Sequence, residues 1–394
     1  MLELSTNDKK QLEGLNISVE QVERQVNQFK TGFPYSDLIA PATIGNGIVK
    51  FSDTEVQELI KQFDEDKQYY DILKFIPASG AASRMFKNIY SFIEEYKGKE
   101  IPEDFLRKEN IKADSIESFF INIRDFAFYD DLKNKMAECD KDINTLLNEN
   151  KLVDIAEFLL ENKGLGYGKL PKALLKFHKY KETSRYALEE HLVEAAQYST
   201  ADTEEGIVAQ LHFTVSQEHL NIFKKVVEEV VPRYEEQFGI RYDISYSVQK
   251  PSTDTVAVDM NNEPFRNNDG SLLFRPGGHG ALIQNLNDLH KEIIFIKNID
   301  NVVPDRLKPT TYDYKKVLGG YLFKLQQQQF EYLNLLDEGC LVDDELDEIA
   351  KFAKEKLMID IPNYFKTYNE IEKIDFLYSK LNRPMRICGM VKNE

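Results

Sequence analysis

Short apolar runs alternate with helical patterns through the middle of the chain, and this alternation restricts the fold more than any other feature. The first run is Ile72–Pro77, and IVAQLHFTVS and EIIFIKN are later examples. Each run is long enough for one buried strand and lies next to turn-forming residues or a helical pattern. Strands separated by helices predict a mixed, mainly parallel sheet flanked by helices, so we expect an α/β fold.

The helical patterns divide the chain into three predicted parts. Residues 1–50 form an arm with one helix and an irregular stretch, and residues 51–311 form the α/β domain. Within that domain, helix-forming residues at helical spacing predict an all-helical insertion at about 100–163. Residues 312–394 are predicted to form a helical module that ends in a buried strand, MRICGMV.

Composition and charge argue against several classes of partner. The chain has 50 Lys and Arg against 67 Asp and Glu, and the formal charge of −17 opposes binding to nucleic acid or an acidic membrane surface. No C-x-x-C pair and no signal-peptide pattern are present in the sequence. We therefore expect a cytoplasmic protein without nucleic-acid or membrane partners, whose oligomeric state the sequence does not specify.

The loop that follows the first strand, Pro77–Met85, has the composition of a phosphate-binding turn. Its small residues let backbone N–H groups point into a concavity, and the next helix adds positive potential at its N-terminus. Arg84 follows the small residues and can neutralise phosphate oxygens. The loop matches neither the P-loop nor the G-x-G-x-x-G pattern. The alternative is a tight strand-to-helix turn with a purely structural role.

A second polar site is predicted at the end of the apolar strand FIKNID. Ligands of open α/β sheets bind outside the carboxyl ends of the strands, and Asp300 lies at such an end. A carboxylate oxygen is the kind of ligand that Mg²⁺ on a triphosphate takes. Asp300 is therefore the predicted Mg²⁺ ligand, and the alternative is that it caps the next helix.

The histidines show no spacing that is typical of a zinc site. Five of them are interpreted as core or surface residues: His178, His191, His212, His219 and His290. His279 differs because it lies between glycines, which leave its ring exposed.

The Pro77–Met85 loop resembles the signature loop of sugar nucleotidyltransferases, in which a strand is followed by G-x-G-[TS]-R. Gly80, Ser83 and Arg84 match this pattern, whereas Ala82 replaces its second glycine. The P-K pair that ends at Lys172 is similar to a lysine motif of that family. Here, unlike in the family, a long helical segment separates the lysine from the loop.

The stretch FRPGGHGALIQNLNDLHKEIIFIKNIDN resembles UDP-sugar pyrophosphorylases between their P-x-G-H-G turn and their N-x-D-N strand end. The two motifs agree with that family in order and spacing. The resemblance covers about Ile72 to Asp305 and implies a three-layer, nucleotidyltransferase-like fold of the glycosyltransferase-A type. A bacterial family of domains of unknown function with the same motifs is a second expected relationship.

Carried over residue by residue, the resemblance implies a site with four roles. Arg84 and Lys172 are the predicted catalytic residues, and Asp300 holds the Mg²⁺ cofactor. The residues predicted to bind the nucleotide are Ala78, Ser79, Gly80, Ala81, Ser83, Gln249, Gly277 and Gly278. Those predicted to contact the sugar phosphate are His279, Lys297 and Asn298.

The implied reaction joins a nucleoside triphosphate to a sugar 1-phosphate and releases pyrophosphate. UTP is the favoured triphosphate because Gln249 matches a base-reading glutamine, whose amide both donates and accepts hydrogen bonds. Two alternatives stay open, since a fold does not specify turnover. One is a protein that binds a nucleotide or nucleotide sugar without converting it, and the other is a glycosyltransferase on the same fold.

Overall fold

The computed structural model describes residues 2–38, 40–80, 82–107, 111–204 and 206–391. Its α-helices are α1 (Thr6–Leu15), α2 (Val19–Thr31), α3 (Asp53–Asp66), α4 (Lys87–Tyr96), α5 (Ile116–Ile121), α6 (Tyr129–Ala137), α7 (Ile143–Asn148), α8 (Leu152–Leu160), α9 (Ala187–Tyr198), α10 (Leu220–Phe238), α11 (Ile283–Asn287), α12 (Lys308–Glu338), α13 (Asp343–Lys356) and α14 (Glu370–Leu381). None of these described helices is both long and apolar enough to cross a membrane.

The strands are β1 (Thr43–Ile44), β2 (Gly47–Ile48), β3 (Ile72–Pro77), β4 (Lys176–Lys179), β5 (Ser184–Tyr186), β6 (Thr200–Thr203), β7 (Gly206–Thr214), β8 (Arg241–Ser247), β9 (Thr255–Val256), β10 (Phe274–Arg275) and β11 (Ile293–Ile296). The predicted first strand is confirmed as β3, with the same bounds. The chain divides into two compact units. The first unit consists of Met1–Tyr35 and Asp71–Lys308, and the second unit consists of Ser36–Tyr70 and Pro309–Glu394.

The central sheet of the first unit is mixed, as the alternation predicted. Strands β11, β3, β7 and β8 run parallel in that order, and β6 pairs antiparallel with β7. Strand β3 is buried along its whole length, which suits a sequence that is apolar except for Lys74, whose ammonium pairs with Glu194. Although β11 is the last of these strands along the chain, it lies beside the first, β3.

Helices α9 and α10 cover one face of this sheet. Their apolar side chains pack with Ile76 of β3 and with Leu211 and Phe213 of β7 in one buried core. Phe75 and His212 belong to the opposite face because successive strand residues alternate, and their rings stack at 5.5 Å. The first unit is therefore a mixed α/β structure.

The predicted insertion is helical in the structure. Helices α5 to α8 share a core of aromatic and aliphatic side chains with α4, and Phe92, Phe120 and Leu159 are among its buried members. Helices α1 and α2 also belong to the first unit, where they pack on β9 and β10 around Leu12, Val22 and Val256. Helix α1 is not among the helices predicted from the sequence.

The second unit contains α3 and the three C-terminal helices. Helix α3 begins with a capping box, in which the Ser52 hydroxyl accepts from the Glu55 backbone N–H and the Glu55 carboxylate accepts from the Ser52 N–H. Phe63 of α3 stacks on Phe323 of α12. Helices α12, α13 and α14 enclose a separate core around Leu336, Leu346 and Leu377.

The predicted C-terminal strand is wrong. The segment MRICGMV corresponds to residues 385–391, which are described as irregular backbone and are mostly exposed. An apolar run forms a strand only when a neighbouring strand takes its backbone hydrogen bonds, and this segment joins no ladder in the described chain.

Candidate functional site

Lys172 and Asp300 form an ion pair at the surface of the first unit. Lys172 opens the 3₁₀ turn Lys172–Leu174, and Asp300 lies in a turn beyond the end of β11. The Lys172 ammonium Nζ lies 2.6 Å from Asp300 Oδ2. The two side chains are 24% and 40% exposed, so the pair can be reached by a ligand from solvent.

The predicted phosphate loop lies directly beside this pair. The backbone N–H of Lys172 donates to the carbonyl of Gly80 at 3.3 Å. The N–H of Ile299, the residue before Asp300, donates to the carbonyl of Pro77 at 3.4 Å. Three segments that are far apart in sequence therefore meet at the carboxyl ends of β3 and β11.

This meeting point coincides with a reversal in strand order. From β3 the chain adds β7 and then β8 on one side, and later adds β11 on the other side. In open α/β sheets, the crevice that binds ligands is found at such a point, outside the carboxyl ends of the strands. The Lys172–Asp300 pair lies at this position in the sheet.

The loop exposes Gly80 and buries Ala78 and Ala82. Ala78 is buried, Ser79 is partly buried, and a methyl group built on Gly80 would meet no described atom within 4 Å. Ala82 is 1% exposed and its side chain belongs to the core of α4 to α8. Arg84 is exposed in the 3₁₀ turn that follows. Ala81 and the side chain of Ser83 lie outside the described residues.

The charge of Asp300 is stabilised by its surroundings. The hydrogen bond from Lys172 is the main cause that lowers the pKa of the Asp300 carboxyl group, and the charge of His279 lowers it further. His279 is exposed at the start of the 3₁₀ turn His279–Leu282. Gly80, Lys172 and Asp300 therefore lie together at the ends of β3 and β11, and His279 is near enough to Asp300 to influence its carboxyl group.

Gln249 and Gly277, which are both predicted to bind the nucleotide, contact each other. Gln249 Nε2 donates to the Gly277 carbonyl at 3.3 Å and to Thr253 Oγ1 at 3.4 Å. A side chain on Gly277 would lie 2.9 Å from the Ala281 methyl group, so close packing accounts for this glycine. Gly278 is exposed and precedes the turn that carries His279.

Lys297 and Asn298 lie on opposite faces of the strand end. Asn298 is exposed, whereas Lys297 is 8% exposed and its ammonium donates to Glu194 Oε1 at 2.6 Å. The structure therefore places Lys297 in the core and apart from the Lys172–Asp300 pair. Its contact with a sugar phosphate stays a prediction.

Asp300 does not cap the next helical turn. That turn is Asp305–Leu307, and its N-cap residue is Pro304. Among the described residues, no group of three or more His, Cys, Asp or Glu side chains could hold a metal ion. A single accessible carboxylate fits Mg²⁺ that arrives on a triphosphate, because such an ion keeps its phosphate and water ligands.

The sequence analysis assigned no role at the site to three residues that lie close to it: His191, Glu194 and His219. His191 and Glu194 are fully buried on α9, and His219 is partly buried at the start of α10. The signal for the first two is the run EEHLVE inside an otherwise apolar helix. Polar groups are seldom buried without a specific partner, so this run indicated a contact with another segment.

The chain was compared with known proteins and families. No curated protein matches it, and no solved structure does either. A family profile described as a domain of unknown function, DUF4301, matches residues 5–394. Since this match covers nearly the whole sequence, the chain belongs to the DUF4301 family.

Proposed function

We propose that this protein is a nucleotidyltransferase that joins a nucleoside triphosphate, with UTP favoured, to a sugar 1-phosphate and releases pyrophosphate. The observation that carries the proposal is the Lys172–Asp300 pair, which lies beside Gly80 at the crevice between β3 and β11. A cation, a carboxylate and an open glycine at that edge suit a metal-bound triphosphate.

The fold that we propose is a three-layer arrangement of the glycosyltransferase-A type. The parallel order β11, β3, β7, β8 supports it, because the order reverses between β3 and β11. Burial of Ala82 also supports it. Its methyl group packs into a helical core, so the alanine that replaces the second glycine does not obstruct the crevice.

The proposed reaction needs no protein nucleophile. A phosphate oxygen of the sugar 1-phosphate forms a bond to the α-phosphorus while the bond from that phosphorus to the α–β bridging oxygen breaks. The bridging oxygen leaves with the electron pair as part of pyrophosphate. Negative charge therefore grows on the leaving group and on the α-phosphoryl oxygens, where fixed cations stabilise the transition state.

Lys172 is placed to supply such a cation. Its ammonium is held by Asp300, and a phosphate oxygen can replace that partner without leaving the ammonium unpaired. Arg84, exposed on the loop, is the second proposed cation. When Mg²⁺ is bound with the triphosphate, it neutralises phosphate oxygens, and Asp300 is the residue that would hold it.

Pyrophosphate release is the direct test. The full chain is incubated with each of the four triphosphates, a panel of sugar 1-phosphates and Mg²⁺. We expect release that requires both substrates and that is strongest with UTP. The absence of pyrophosphate release with every pair of substrates would contradict the proposal. Binding of UTP without release would support the non-catalytic alternative, and transfer from a nucleotide sugar without pyrophosphate would support a glycosyltransferase.

A further inference from the structure

Two histidines each contact a backbone carbonyl group within three residues of one member of the Lys172–Asp300 pair. His191 Nε2 lies 3.2 Å from the carbonyl oxygen of Ile299, the residue before Asp300. His219 Nε2 lies 2.8 Å from the carbonyl oxygen of Lys169, three residues before Lys172. Neither histidine touches the ion pair itself, but each holds the segment that presents one partner.

The proton of His191 can be assigned from its contact. A carbonyl oxygen only accepts, so Nε2 must carry the hydrogen. Burial holds the pKa of His191 well below its usual range, and a neutral ring has a single N–H. Nδ1 is then a buried acceptor without a partner among the described residues. An unsatisfied buried acceptor costs stability, so optimal packing alone does not explain this ring.

His219 is oriented by a neighbouring serine. Ser216 Oγ lies 2.6 Å from His219 Nδ1. Since a carbonyl oxygen only accepts, Nε2 donates to Lys169, and Nδ1 is left to share a hydrogen bond with the Ser216 hydroxyl. The serine thereby fixes the direction of the ring.

Further contacts restrain the same two segments. On the Asp300 side, Lys297 donates to Glu194 at 2.6 Å, and Glu194 lies one helical turn after His191 on α9. On the Lys172 side, the N–H of Ala187, the first residue of α9, donates to the Leu175 carbonyl at 3.0 Å. Helix α9 is therefore bonded to both segments, and His219 restrains the second one from α10.

We propose that His191 and His219 are positioning residues that set the separation of Lys172 and Asp300. Their importance for catalysis rests on the proposed function, whereas their effect on the ion pair does not. A displacement of about 1 Å in a positioned charge can cost up to about 100-fold in rate, so small movements of either segment matter.

The test measures the ion pair directly. In the pair, the Asp300 carboxylate holds the Lys172 amine group at 2.6 Å and hinders its reaction with acylating reagents. The full chain is treated with limiting acetic anhydride at fixed pH, and mass spectrometry follows acetylation of the peptide that contains Lys172. The Asp300→Asn variant gives the acetylation rate of Lys172 without the ion pair. We expect this rate to be about two- to fivefold above that of wild type, because a partly exposed ion pair is weak.

Four variants and one control are compared. His191→Leu and His219→Leu remove the donors, and we expect both to raise Lys172 acetylation towards the Asp300→Asn rate. His191→Gln and His219→Gln keep an amide donor, and we expect them to restore much of the wild-type rate. His290→Leu, at an exposed histidine, serves as the control. Thermal unfolding of each variant shows that the fold is retained.

Each outcome decides the proposal. Wild-type acetylation rates in folded His191→Leu and His219→Leu chains would overturn it, as would equal rates for the Leu and Gln variants. If His191→Leu does not fold, the two His219 variants and His191→Gln still test it. If the rates change as expected but the wild-type chain releases no pyrophosphate, the positioning role stands and the proposed function fails.

Discussion

The Lys172 ammonium and the Asp300 carboxylate lie 2.6 Å apart although 128 residues separate them in the sequence. Lys172 precedes β4 and Asp300 follows β11, so four strands of the central sheet, β6, β7, β8 and β11, lie between them along the chain. The pair also lies beside Gly80, whose carbonyl accepts from the Lys172 N–H.

Asp300→Asn should abolish pyrophosphate release while leaving the fold intact. The amide cannot hold a metal ion as a carboxylate does, and the lost pair is partly exposed, so it contributes less than about 1 kcal/mol to stability. Pyrophosphate assays and urea unfolding measure the two effects. The matched control is Asp154→Asn, because Asp154 is also 40% exposed and pairs with Lys141 at 2.6 Å. Equal activity of the two variants would contradict the metal role of Asp300.

Two glycine substitutions should separate ligand binding from folding. A methyl group on Gly80 meets no described atom within 4 Å, so Gly80→Ala should fold normally but weaken triphosphate binding by obstructing the crevice. On Gly164 the same methyl group would lie 1.7 Å from the Phe158 carbonyl oxygen, so Gly164→Ala should destabilise the fold. Calorimetric titration with UTP and thermal unfolding distinguish them. Unchanged UTP affinity in Gly80→Ala would remove the loop from the site.

Stability should fall as the pH drops from about 6.5 towards 4, in part because of His212. Burial lowers the pKa of His212 to about 4, whereas the unfolded chain binds that proton near pH 6.5. The neutral ring therefore stabilises the fold fully above pH 6.5, and about 3 kcal/mol of that contribution is lost by pH 4. His212→Gln should show a smaller loss over this range in urea unfolding. A loss as large as that of wild type would assign the effect to other groups.

Lys297→Met should affect stability more than substrate binding. Lys297 is bonded to Glu194 in the core, and its removal leaves that carboxylate with Lys74 as its remaining lysine partner. We expect a loss of about 1–3 kcal/mol in urea unfolding, with a KM for the sugar 1-phosphate close to that of wild type. A raised KM with full stability would instead support the sugar-phosphate contact predicted from the sequence.

Local sequence patterns were sufficient to predict many of the helices and strands. The apolar run Ile72–Pro77 predicted β3 because a strand buried on both faces needs no alternation. The start of α3 is also a local feature, because the capping box of Ser52 and Glu55 depends only on neighbouring residues. The segment 385–391 shows the limit of such signals, because a strand also needs a partner that no local pattern reveals.

The burial of Lys297 is indicated by the strand period of the sequence. In β11 and the residues after it, Ile293, Phe295, Lys297 and Ile299 are spaced by two, and the structure buries them all. Asn298 and Asp300 lie between or beyond them and are exposed. The strand period alone therefore indicated that Asp300 faces solvent and Lys297 the interior.

The sequence by itself determined the alternation of strands and helices, the small-residue loop after β3 and the polar end of β11. These features follow from local spacing, because hydrophobic period and turn chemistry act over a few residues. Only the tertiary structure decided that β11 lies beside β3, that Lys172 pairs with Asp300, and that His191 and His219 hold the two segments. Such contacts depend on strand order, which arises when distant segments bury their apolar faces against one another.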